Sequence, residues 1–427
     1  MHKKKLFTSL LLLTVLFSCS PRYQEKVISC IQIVDRNGLT ETITSQEKLK
    51  NYQNTNFDKP QSYKKVLRIF NKDNEGNIIS KLTSYHDNGE PKQSLEIKNA
   101  RAFGKYKEWH PNGHLKIDAF VIGGSADLNQ LDSWLFDGPS KVYDEKGYLI
   151  SEFNYEKGYL NGTAKYYYPS LKIKKIIPYK NNEITGELSQ YNSKGECISK
   201  INYVNGKKQG SSIGFWSKDN ISFMEEWEND LLMNAQYFKK SRIKASTIKN
   251  GDGQKAIFKE RFLSKLIEYK NGVSEGRVQI FLIDGQLYNE YYQKDGVKDG
   301  LETQYYKEKD LPKSYTNKKN LSKLEISWDN GTINGPVKTW YKNGKLESQK
   351  EYSQNKKNGS HFAWYENGSV MFIEEYENDL LMKGSYFKIN EKDPISTILK
   401  GNGVATLFDS QGRFIKKVNY NVGSLDQ

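Results

Sequence analysis

The sequence predicts an all-β fold: an elongated, twisted, single-layer antiparallel meander of about a dozen hairpin repeats, each of 24 residues. Three observations predict it. The first is a unit best seen from Gly335 to Gly359, with Trp340 five residues after the opening glycine, Leu346 at plus eleven and Tyr352 at plus seventeen. Gly359 then leads to Trp364, Val370 and Tyr376 in the same slots. The second is turn chemistry: Asp-Asn-Gly, Pro-Asn-Gly, Glu-Lys-Gly and Ser-Lys-Gly break short runs of Tyr, Ile, Val, Phe and Thr, as in β-hairpins. The third is economy of apolar residues. Hydrophobic content is 36% in a chain of 427 residues, low for two or three thick cores, whereas a thin repeated sheet needs less.

In chain order, residues 1–18 read as a lipoprotein signal peptide: Lys3-Lys4-Lys5, then the apolar run Leu6 to Phe17, too short to span a bilayer. Leu16-Phe17-Ser18-Cys19 resembles the bacterial lipobox, which implies diacylation of Cys19 and a membrane-held mature chain outside the cytoplasm. Residues 19–62 do not fit the repeat and read as a small head or linker, with a strand over 27–34 and a short helix over 44–52 near a Ser45 cap. Residues 63–427 are the repeat array, interrupted near 118–137, 235–252 and 307–331.

Within the array, Gly104, Gly138, Gly162, Gly186, Gly210, Gly276, Gly300 and others each precede an aromatic by five. A coarser duplication lies on top. Glu225 to Phe238 (EEWENDLLMNAQYF) returns 149 residues later as Glu374 to Phe387 (EEYENDLLMKGSYF). A three-residue turn with Gly344 in the left-handed conformation would place Trp340, Leu346 and Tyr352 on one face, and that turn is the expected one.

The pattern Gly-x4-aromatic, then Asn-Gly-x-Leu, then Tyr, resembles the bacterial variant of the MORN repeat. The resemblance implies one β-hairpin per unit and one long meandering sheet. It also implies a non-enzymatic scaffold that binds a protein, since many bacterial members carry the label antitoxin and eukaryotic cousins are often placed at membranes.

Charge and chemistry narrow the function further. The formal charge is +14, and without the signal lysines Lys3, Lys4 and Lys5 it is +11. Only eight of the 65 basic residues are Arg, and the lysines are scattered among acids, so nucleic acid is not the expected partner. Gly210-Ser211-Ser212-Ile213-Gly214 spells a nucleophile elbow but opens an ordinary repeat. His110 and His114 flank the turn Pro111-Asn112-Gly113, not a helix that would put them on one face. No catalytic residue, metal site or cofactor is expected. Cys30 and Cys197 could pair in an oxidising compartment, and Cys197 occupies a plus-eleven slot that elsewhere holds Leu or Ile. Partner binding is expected either on inserts 121–134 and 311–327, through Leu131, Trp134 and Tyr315, or along the aromatic stripe, through Trp340 and Trp364. The alternatives are an envelope, membrane or cell-wall contact protein without a discrete partner, and an envelope hydrolase.

Overall fold

The computed structural model describes residues 27–313 and 320–425, so Cys19 and Tyr315 lie outside the described residues. The described chain is almost entirely antiparallel β, as expected, and divides into two compact units, Met1–Tyr159 and Leu160–Gln427.

In the first unit the strands are β1 (Ile28–Val34), β2 (Thr40–Ile43), β3 (Lys65–Lys72), β4 (Ile78–Tyr85), β5 (Pro91–Lys98), β6 (Arg101–Trp109), β7 (Leu115–Val121), β8 (Gly138–Tyr143) and β9 (Leu149–Glu156). They pair in the order β2–β1–β3–β4–β5–β6–β7–β8–β9. The segment read as a head thus supplies two strands to the sheet and a helix, α1 (Gln46–Lys50), whose Ser45 cap makes no side-chain bond. Leu49 of α1 and Phe57 close over Ile31, Ile33, Ile43 and Val66 on one face of the sheet. On the opposite face Leu95, Ile97, Tyr106 and Val121 are covered by Leu128 and Trp134 from the 122–137 insert. Trp134 meets Tyr106 edge-on with ring centroids 4.8 Å apart and donates its indole N–H to the Ser125 carbonyl at 2.8 Å. Full burial of such side chains is worth about 1.5–3 kcal/mol each, so this insert is a second layer over part of the sheet.

The repeat from Gly335 is a hairpin closed by two different turns. At Lys342–Gly344 the turn has three residues: Tyr341 N–H donates to the Lys345 carbonyl and Gly344 N–H to the Tyr341 carbonyl, both at 2.9 Å. Gly344 has φ +80°, the left-handed value this turn requires. At the other end Gln354 and Asn355 have φ +49° and +66°, a two-residue turn of the type that follows strand twist.

The expected face assignment holds in part. Trp340 pairs directly with Leu346, so plus five and plus eleven do share a face. The ladder then slips by one residue: Thr339 pairs with Ser348, and Glu347 is left over as a β-bulge. Because side chains alternate with period two, that extra residue turns Tyr352 to the opposite face. The expected three-slot stripe is therefore two stripes. The same slip recurs at Tyr143–Leu149, Tyr167–Ile173, Tyr191–Cys197, Phe281–Leu287, Trp364–Val370 and Phe408–Phe414.

In the second unit, the interruption at 235–252 is not a loop. It is an added strand, Lys244–Lys249, paired to Leu231–Phe238. Its copy, Ser396–Leu399, pairs likewise with Leu380–Tyr386.

Candidate functional site

The two faces of the second unit do different work. Residues at plus two and plus fifteen line up across strands into a row: Ala164, Ile177, Leu188, Ile201, Ser212, Glu225, Ala235 and Ile248 are successive neighbours or near-neighbours by register. A second row runs Val337, Lys350, His361, Glu374, Gly384 and Ile398. Most of the first row is buried, as are His361, Glu374 and Ile398 in the second.

A buried carboxylate must be paired and hydrogen-bonded, and both rows meet that demand. Glu225 accepts from Tyr237 Oη at 2.6 Å, Lys255 Nζ at 2.7 Å and Trp227 Nε1 at 3.0 Å. Glu374, its copy, accepts from Tyr386 Oη at 2.7 Å and Tyr376 Oη at 3.1 Å, and lies 2.9 Å from His361 Nδ1. Burial alone would lift the Glu374 carboxyl; the bonds from His361, Tyr386 and Tyr376 outweigh it and hold it below its ordinary value. Burial pushes the His361 imidazole below its ordinary value, with Glu374 opposing and Lys350 and Lys357 adding to the effect. Burial also raises the Tyr237 and Tyr386 hydroxyls, which stay protonated as donors. The flanking cations repeat as well: Lys208 sits 4.1 Å over Trp227, and Lys357 sits 4.6 Å over Tyr376. These carboxylates are fully occupied by structural partners.

Plus five lies on the other face. Trp340 and Trp364 are both half-buried there, and Trp364 stacks on Phe362 with centroids 5.9 Å apart. Tyr167, Tyr191, Phe215 and Phe281 are half-buried too, whereas Tyr305 and Phe408 are buried. Plus six, a slot the sequence reading passed over, stitches repeats together. Tyr306 Oη donates to the Trp340 carbonyl at 2.5 Å, Tyr341 Oη to the Trp364 carbonyl at 2.7 Å and Tyr365 Oη to the Phe387 carbonyl at 2.6 Å. Burial pushes the Tyr341 and Tyr365 hydroxyls up to about 12.

Trp134 is buried at 5% exposure, so it is core rather than an accessible contact, because its insert folds down onto the apolar face of β4–β7. Leu131, in the short 3-10 turn of that insert, is exposed. His110 and His114 direct ring nitrogens at the Tyr143 and Glu145 carbonyls, at 3.1 and 2.8 Å. Gly210 to Gly214 runs inside a single strand, Lys207–Ser217. Cys30 and Cys197 are free and half-buried. Among the described residues no cluster of three or more His, Cys, Asp or Glu could hold a metal ion, and no helix is long and apolar enough to cross a membrane.

Four segments, residues 104–121, 160–181, 333–354 and 357–378, match the family described as MORN repeat variant. Each of the last three begins two residues before an opening glycine and ends at or near the two-residue turn. No curated protein matches the chain. Of solved structures, the crystal structure of TcdB2-TccC3-TEV is similar at 11% identity over 91% of this chain and 24% of its own, with a TM-score of 0.14. A mutant Photorhabdus luminescens Tc holotoxin pore is similar at 10% identity over 91% and 24%, with a TM-score of 0.13. The chain spans about a quarter of the length of those proteins, and similarity at that level bears on neither fold nor function.

Proposed function

We propose that this chain is a non-enzymatic repeat scaffold, held on a bacterial membrane face by an acyl group on Cys19, that binds a protein partner in the manner of an antitoxin or immunity protein. The observation that carries the binding role is the division of the faces. The plus-two and plus-fifteen rows are largely buried, with their carboxylates Glu225 and Glu374 taken up by internal partners, while plus five presents half-buried aromatics, Trp340 and Trp364 among them. Aromatic side chains of this kind are the usual anchors of protein interfaces. The motif Leu16 to Cys19 supports the anchor.

The test has two arms. Intact-mass analysis of the membrane-extracted protein should find residue 19 as an acylated amino terminus; an unmodified Cys19, or a soluble protein with another start, refutes the anchor. Affinity capture from the native membrane should retain one species in stoichiometric amount, lost in Trp340→Ser/Trp364→Ser although the melting temperature holds. Full retention by that double variant removes this face as the binding surface.

A further inference from the structure

The first unit contains a concavity apart from the aromatic positions proposed for partner binding. It lies on the same sheet face as Tyr106 and Trp134, next to the part that the 122–137 insert covers. Its floor is largely aliphatic, Val34, Leu67, Ile69, Leu82 and Ile97 with Ala126 of the insert as one wall, interrupted by the uncharged polar side chains of Gln32 and Ser80. Register puts these residues in adjacent rows, Leu67 opposite Leu82 and Ser80 opposite both Ile69 and Ile97. The trough has a volume of about 810 Å³, within the usual range of small-ligand sites.

Its charge is one-sided. Lys65 is the only charged residue among those lining it, and Lys65 pairs with Val34, which pairs with Thr40, at one end. Lys65 makes no ion pair among the described residues. The far end is Ile78 with Asn99 and Ala100, and Ile78 pairs with Lys72. At about 3.3 Å per residue, the step from Lys65 to that row is roughly 20 Å.

We propose that this trough binds a long-chain fatty carboxylate, with the alkyl chain along the Leu67–Ile69 floor and the carboxylate at Lys65. A single alkyl chain suits a largely aliphatic trough of this length, and unlike an extended peptide it brings no row of backbone amides that each need a partner there. A lone cation at one end, with no carboxylate in the lining, selects an anionic head over a neutral or cationic one.

The experiment titrates palmitate and hexadecylamine separately into the delipidated full-length chain, followed by calorimetry. One palmitate per chain is expected, preferred over the amine. Lys65→Glu should weaken palmitate about tenfold, the loss of one charge-assisted bond, and reverse the preference towards the amine. Ile69→Trp, which fills the floor without adding charge, should block both; thermal melting checks that each variant folds. Absence of saturable one-to-one binding, or a head-group preference indifferent to Lys65→Glu, overturns the proposal. So does uptake by Cys19→Ala but not by the acylated parent, because the trough would then hold the protein's own lipid.

Discussion

Single residues show what one sheet layer must solve. Glu374 is buried with two hydroxyl donors, Tyr376 and Tyr386, and with His361 Nδ1 2.9 Å away, so removing its charge leaves both hydroxyls weakly satisfied and takes the imidazole's buried counter-charge. Glu374→Gln should cost about 2 kcal/mol, the scale of a charged hydrogen bond, read as a lower urea midpoint for the second unit. Acid should act on the same pair. His361 is held below its ordinary 6.5, so the unfolded chain takes up that proton more readily and stability falls as pH drops through about 6.5. Glu374 is held below its ordinary 4.5, so its stabilisation is present above that value and is lost as pH falls through the lower folded one. His361→Gln should therefore flatten the melting profile between pH 7 and 5 while leaving the loss below pH 4.5. An unchanged slope above pH 5 would show that His361 is not the titrating group. None of this was legible beforehand, because Glu225 and Glu374 looked like any acid in a charged run. The signal was the small or aliphatic residue at plus two, Ala164, Leu188, Ser212 and Val337, which marks the facing row.

At the scale of elements, turn chemistry was the most readable feature and the ladder between turns the least. Asn343-Gly344 announced a three-residue turn, and the structure has it. Gly344→Ala should cost about 1–2 kcal/mol because φ is +80°, whereas Gly344→Asn should cost less, since asparagine tolerates that region. Equal losses in the two variants, measured by chemical denaturation, would argue against a left-handed requirement. The bulge at Glu347 was invisible, since a leftover residue has no composition of its own, and it alone moved Tyr352 to the other face. The 122–137 insert carries a similar lesson. A break in a repeat reads as a loop, but Leu128 and Trp134 are apolar enough to cover the sheet. Trp134→Ala should destabilise the first unit by about 3–5 kcal/mol, with amide exchange in residues 160–425 unaffected. Faster exchange in both units alike would mean that they do not unfold separately.

On the scale of the whole molecule, repetition made the architecture readable and hid the function. The duplication seen in EEWENDLLM and EEYENDLLM is reproduced atom for atom in places: Lys208 N–H donates to Asp230 and Lys357 N–H to Asp379, each at 2.8 Å. Leu232 N–H donates to the Gly272 carbonyl as Leu381 N–H does to that of Gly423. Copies that share a fold this closely need not share a partner, so specificity has to lie in side chains that the fold leaves unused. In the second unit the half-buried plus-five residues Trp340 and Trp364 meet that condition, and the buried plus-two row around Glu225 and Glu374 does not. Site-specific photocrosslinking in the native membrane separates them, with a benzoylphenylalanine placed at Trp364 in one protein and at Tyr352 in another. A discrete adduct from position 364 and none from position 352 is the predicted result; an adduct from 352 alone would mean that the partner occupies the face assigned here to folding.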